Sequence, residues 1–144
     1  KPMLLLHTDI FFDPVYIDHI VKNKKTDIIG VKSAKGHFFK SKSFAVKVNK
    51  KNKIEKIDYI NKIKYPSGEI IGINKISAKT NIKIFNFMDN FFDKKGKKFS
   101  WEEVLNKFIK NKKNSLFTIS NQNFYWININ DESDYLKIKN IQLL

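Results

Sequence analysis

Leu4, Leu5 and Leu6 form an uninterrupted apolar run of the kind expected of a strand buried on both faces, and they lead into the polar trio His7, Thr8 and Asp9. Asp9 is therefore expected at the C-terminal end of a strand. Beyond Phe11 and Phe12, Asp13 suits an N-cap and Pro14 the first helical position, where a missing N–H costs nothing. Ile17, Ile20 and Val21 then supply the stripe of a short helix ending in the Asn23–Lys25 run, and Asp27 to Val31 has the composition of the next strand. From Phe44 the period changes to two, with Phe44, Val46 and Val48 on one face and Lys47 on the other. A polar turn at Asn49 to Asn52 and a return strand through Ile54 and Ile57 complete a hairpin. Pro66, Ser67 and Gly68 mark a second turn before a strand from Glu69 to Ile76.

The second half of the chain is patterned for helices. Thr80 or Asn81 is placed to cap a helix whose Ile84, Phe85, Met88, Phe91 and Phe92 recur at helical spacing. Ser100 and Glu103 form a capping box ahead of Trp101, Val104, Leu105 and Phe108. Leu116 to Ile119 and Phe124 to Ile129 are expected strands. Asp131 to Asp134 then cap a last helix through Tyr135, Ile138 and Ile141. Strands alternating with helices predict an α/β fold, a mixed sheet flanked by helices with one antiparallel hairpin.

Composition narrows the chemistry. The 144 residues contain 42% hydrophobic and 14% aromatic side chains, enough for a core in one domain, and a chain of this size buries about 70% of its unfolded surface. The absence of cysteine removes disulfides, thiolate metal sites and cysteine nucleophiles, and His7, His19 and His37 are not spaced as a ligand cluster. The formal charge of +14 comes entirely from lysine. Without the guanidinium fork, specific base or phosphate readout is disfavoured, so no specific nucleic-acid partner is expected. The runs Lys22 to Lys25, Lys50 to Lys53 and Lys94 to Lys98 are expected as solvated turns. No apolar stretch approaches the roughly 20 residues of a membrane span, and a soluble cytoplasmic protein is expected.

Three stretches in order carry a resemblance. LLLHTDIFFDP from Leu4 to Pro14 resembles the strand that ends in a histidine, a glycine and a metal-binding aspartate in nucleotidyltransferases of the sugar-phosphate and phosphocholine cytidylyltransferase type. SGEIIGINKIS from Ser67 to Ser77 is similar to their central strand beside the acceptor pocket. WININDESDY from Trp126 to Tyr135 is similar to their strand-to-helix junction, W-I-D-I-D-T-P-E-D-Y. The resemblance implies a partial GT-A-like domain spanning residues 1–144. It also implies an activity that joins a nucleoside triphosphate, with cytosine as the base by analogy, to a small phosphorylated or phosphonylated acceptor such as phosphocholine or a sugar phosphate, releasing pyrophosphate with Mg2+. Asp9 and Asn130 would be the catalytic metal ligands. FSWEEVLNKF from Phe99 to Phe108 is similar to the family's acceptor-binding segment, so Glu69, Trp101 and Glu102 would line the acceptor pocket.

The departures from the family pattern are specific. Thr8 replaces the family's glycine, and Asn128 and Asn130 replace two aspartates, lowering the local formal charge and leaving amide oxygens as weaker ligands for a hard cation. Asp131 and Asp134 are expected as helix caps rather than substitutes. The family's glycine-rich, triphosphate-wrapping loop has no counterpart, since no G-x-G or P-loop occurs, and an apolar strand begins within three residues of Lys1. The expectation is that the chain is the C-terminal portion of a longer enzyme and is inactive alone. Two other readings remain: a non-catalytic lysine-rich module for an anionic partner, and a GT-A glycosyltransferase relative whose D-x-D motif would be Asn128 to Asn130.

Overall fold

The computed structural model describes residues 1–34, 42–92, 99–111, 114–120 and 124–141. Strand β1 is Met3–Leu6, β2 is Ile10–Phe12, β3 is Ile28–Ser33, β4 is Phe44–Val48, β5 is Ile54–Tyr59, β6 is Gly68–Ile76, β7 is Phe117–Ser120 and β8 is Trp126–Asn128. Helix α1 is Val15–Lys22, α2 is Ala78–Phe92, α3 is Trp101–Lys110 and α4 is Glu132–Ile141. The fold is a mixed α/β sheet flanked by helices, with the β4–β5 hairpin in place and a separate antiparallel pair, β2 and β8.

Strand β6, rich in isoleucine and buried along its whole length, organises the sheet. On one edge it pairs antiparallel with β3, which in turn pairs parallel with β7. On the other edge β4 pairs with Gly68 and Glu69, while β1 pairs with Ile73 to Ile76. Strands β1 and β4 thus lie end to end along one edge of β6. The β3–β6 register shifts between Ile29 and Val31, so Ile71, Gly72 and Ile73 stand opposite the single residue Gly30. This bulge faces the interval between β1 and β4.

Alternation along β3 and β6 divides the core. Ile29, Val31, Ile70 and Ile76 face Ile84 of α2 and Val104, Leu105 and Phe108 of α3. Ile28, Ile71 and Ile73 face Tyr16 and Ile20 of α1, with Phe12 and Trp126 of the small sheet packed alongside. The buried Tyr16 hydroxyl donates to the Ile119 carbonyl at 3.3 Å, and burial raises its pKa well above the usual tyrosine range. Lys75, also buried, donates from Nζ to the carbonyls of Val21 (2.9 Å) and Asn23 (2.7 Å), satisfying the end of α1. The capping box of α3 is formed: the Ser100 hydroxyl accepts from Glu103 N at 3.2 Å, and the Glu103 carboxylate accepts from Ser100 N at 2.9 Å. Asn106 ties this helix to β5 by accepting from Ile57 N at 3.1 Å.

Several expectations need correction. Strand β1 is not buried on both faces: Leu6 is 42% exposed, and among the described residues its only strand partner is β6. Helix α1 buries Tyr16 and Ile20 and leaves Val21 51% exposed, and Asp13 accepts from Val15 N at 3.0 Å. Helix α2 begins earlier than expected, with the Ser77 hydroxyl accepting from Thr80 N at 3.2 Å, so the cap is Ser77 rather than Thr80 or Asn81. Phe85 is 47% exposed, and Lys22 belongs to α1 rather than to a turn. The side chains at 91 and 92 and the lysine run at 94–98 lie outside the described residues. No helix among those residues is long and apolar enough to cross a membrane.

Replacing Ser100 with alanine removes one bond of the capping box and is expected to cost about 1 kcal/mol. Urea unfolding should show a lower midpoint at unchanged slope; an unchanged midpoint would show that the cap contributes nothing.

Candidate active site

The interval between the ends of β1 and β4 opens into a cleft of about 370 Å³, its solvent-filled mouth included. His7, at the end of β1, continues the pairing by donating its backbone N–H to the Gly72 carbonyl at 2.9 Å. Its imidazole lies against the α-carbon of Gly72, which has φ +75°; a β-carbon there would sit 2.7–2.9 Å from His7 Cγ, Nδ1 and Cβ. Glycine is required twice over at this position, by backbone conformation and by the ring. Gly30, across the bulge, is equally confined: a β-carbon would fall 2.6 Å from the Ile73 carbonyl oxygen and 2.9 Å from the Tyr16 hydroxyl. The two glycines let the bulge form and the histidine seat itself over it.

From that seat His7 Nε2 lies 3.7 Å from Glu102 Oε1, in the first turn of α3. Glu102 is 8% exposed and Glu69 5% exposed, and both line the cleft. Glu69 lies on the interior strand β6. Trp101 is placed differently: it packs against the core between sheet and α3 and is not among the cleft-lining residues. Trp126 and Asn128 of β8 also line it, as do Lys42, Ser43 and Phe44 at the start of β4. Trp126 Nε1 and Asn128 Oδ1 are both buried without a hydrogen-bond partner in the protein. Such orphans each cost about 1–3 kcal/mol in the free protein.

The backbone places Asp9 opposite Ile129, one residue before Asn130. The β2–β8 register pairs Ile10 with Asn128 and Phe12 with Trp126, and Ile129 N extends the ladder by donating to the Asp9 carbonyl at 2.7 Å. Both Asp9 and Asn130 are exposed at the end of this ladder. The neighbouring acids are committed to α4: Asp131 accepts from Asp134 N at 3.0 Å and from the Ser133 hydroxyl at 2.7 Å. Asp134 accepts from Asn130 N at 3.1 Å and pairs with Lys137 at 3.2 Å. Among the described residues no group of three or more histidine, cysteine or acidic side chains is placed to hold a metal. His7, Trp126 and Asn128 were absent from the expected site set. The period of two in β8, which puts Trp126 and Asn128 on one face, is the signal that points to the latter two.

No family profile matches the sequence, and no curated protein sequence matches it. Solved structures do match. The inositol-1-phosphate CTP transferase from T. maritima superposes with a TM-score of 0.74 at 19% identity, covering 93% of this chain and 51% of that one. CTP:phosphocholine cytidylyltransferase from Streptococcus pneumoniae gives 0.65 at 16% identity, covering 96% and 57%. A Bacillus anthracis protein named as a glucose-1-phosphate thymidylyltransferase gives 0.67 at 12% identity, covering 98% and 54%. The fold is that of the nucleotidyltransferases. The chain spans about half the length of these structures, and the nucleotidyltransferase fold is shared over nearly all of the chain.

Gly72→Ala should be destabilising through both left-handed strain, about 1–2 kcal/mol, and displacement of the His7 ring. In a His7→Ala background the same change should cost less, because the ring contact is gone. Equal costs in the two backgrounds, measured by urea unfolding, would contradict this packing.

Proposed function

We propose that these residues form part of one nucleotidyltransferase domain. It joins a nucleoside triphosphate, CTP in this reading, to a small phosphorylated or phosphonylated acceptor such as phosphocholine or a sugar phosphate, releasing pyrophosphate. The domain's glycine-rich loop lies outside the 144 residues, and the cytoplasm is the location implied. The observation that carries the reading is that one short stretch borders both parts such a site needs. His7 and Ile10 line the cleft, and Asp9 between them stands at the open end of the β2–β8 ladder beside residues 129 and 130.

The reaction asks mostly for positioning and charge neutralisation: an acceptor phosphate oxygen attacks the α-phosphorus, and the bond to the pyrophosphate oxygen breaks. Glu69 and Glu102 hold the acceptor's head group, and His7, 3.7 Å from Glu102, orients it.

Asp9 and Asn130 are the residues that would hold Mg2+. One carboxylate and one amide oxygen, both exposed, suit a cation that takes one or two protein oxygens and fills its remaining positions with water and phosphates. Magnesium bound there supplies charge neutralisation for the phosphates.

The test is pyrophosphate release from CTP with phosphocholine or glucose 1-phosphate by the full-length gene product. Asp9→Ala should lower kcat about a hundredfold. No release with any nucleoside triphosphate, or an Asp9→Ala rate equal to the parent's, would overturn the reading. The isolated 144 residues should show no turnover, and turnover by them would contradict the placement of the nucleotide loop outside this sequence.

A further inference from the structure

We propose that Lys42 is a phosphate-binding residue of this cleft, which fixes the acceptor with its phosphate at the rim, level with His7, and its head group at the floor. This rests on the acceptor-site reading above and assigns a residue within it.

Lys42 stands two residues ahead of β4, is exposed and lines the cleft. Its level follows from the sheet. Ala45 pairs with Glu69, so the antiparallel register, carried on toward the N-terminus, sets Phe44, Ser43 and Lys42 level with Ile70, Ile71 and Gly72. All six of these residues border the cleft. Gly72 is also where β1 ends its pairing with the same edge of β6, through the His7 N–H. Lys42 and His7 thus reach the gap between β4 and β1 from its two ends at one level of β6. Thr8 and Asp9 follow His7 directly.

Charge in the cleft is sorted by depth. Glu69 and Glu102 are nearly buried, whereas Lys42 is exposed. Among the described residues that line the cleft, Lys42 is the one side chain of fixed positive charge. A phosphate monoester therefore meets repulsion from the deep carboxylates and attraction at the rim. A ligand with a phosphate at one end enters with that end outermost. An ammonium on a flexible four-carbon stem offers three donors and follows a phosphate oxygen without the fixed fork of a guanidinium. Position, and not charge, sets Lys42 apart in a chain with 28 basic side chains.

The experiment titrates the protein with inorganic phosphate in metal-free buffer while following the His7 ring resonances, assigned by their loss in His7→Gln. Phosphate should shift them saturably, and Lys42→Gln should weaken that binding about tenfold. Lys42→Arg keeps the charge and should stay within about threefold of the parent. Lys47→Gln removes the same charge from an exposed position on β4 outside the cleft lining and should leave the affinity within about twofold. Equal losses in Lys47→Gln and Lys42→Gln would show a general charge effect and overturn the proposal. Parental affinity in Lys42→Gln, or no saturable shift in the parent, would overturn it as well. In pyrophosphate-release assays of the full-length gene product, Lys42→Gln should raise the acceptor KM about tenfold and hold kcat within about threefold. If Lys42→Gln loses phosphate but the parent releases no pyrophosphate from any nucleoside triphosphate, the anion site stands and nucleotide transfer falls. If Lys42→Gln turns over with the parental acceptor KM, nucleotide transfer stands and the role of Lys42 falls.

Discussion

The arrangement depends on a mismatch in strand length: Ile71, Gly72 and Ile73 of the central strand must be accommodated opposite Gly30 alone. A bulge re-aims the strand it interrupts, and here it does so beside the gap between β1 and β4. Either glycine replaced by a residue with a β-carbon would meet backbone or ring atoms at less than 3.0 Å, so the irregularity is sterically specified by small residues on both strands. From it follow the seat of His7, the approach of that ring to Glu102 and the position of the cleft.

Much of this was legible beforehand, for identifiable reasons. The α3 start was readable because a capping box is a local, three-residue signal, and the hairpin because strict alternation around a polar turn has few other solutions. The pairing of the segment around Asp9 with the one that precedes α4 was implied by the order of motifs, and Ile129 N donates to the Asp9 carbonyl at 2.7 Å, which sets Asp9 opposite Ile129. What was hidden depends on distant partners. The three-residue strands β2 and β8 carry too little pattern to be seen singly and exist because they pair with each other. Exposure of Leu6 and Val21 reflects which edges and faces receive neighbours, and a run of apolar letters does not encode that. Trp101 and Trp126 illustrate the same limit: both are tryptophans near acceptor-like motifs, yet the helix turns one into the core while the strand sets the other on the cleft wall.

Stability and chemistry compete within the cleft. Two carboxylates with little exposure, an indole N–H and an amide oxygen without protein partners are costly to maintain in a folded chain. All four residues border the one cleft, beside a backbone conformation that only glycine adopts easily.

An experimental structure of the protein with glucose 1-phosphate tests the central claim most directly. The account expects the sugar between His7, Glu69, Glu102 and Trp126, with its phosphate directed toward Asp9 and the end of the β2–β8 ladder. A sugar phosphate bound elsewhere on the fold, or bound in the cleft with its phosphate turned away from Asp9, would contradict it.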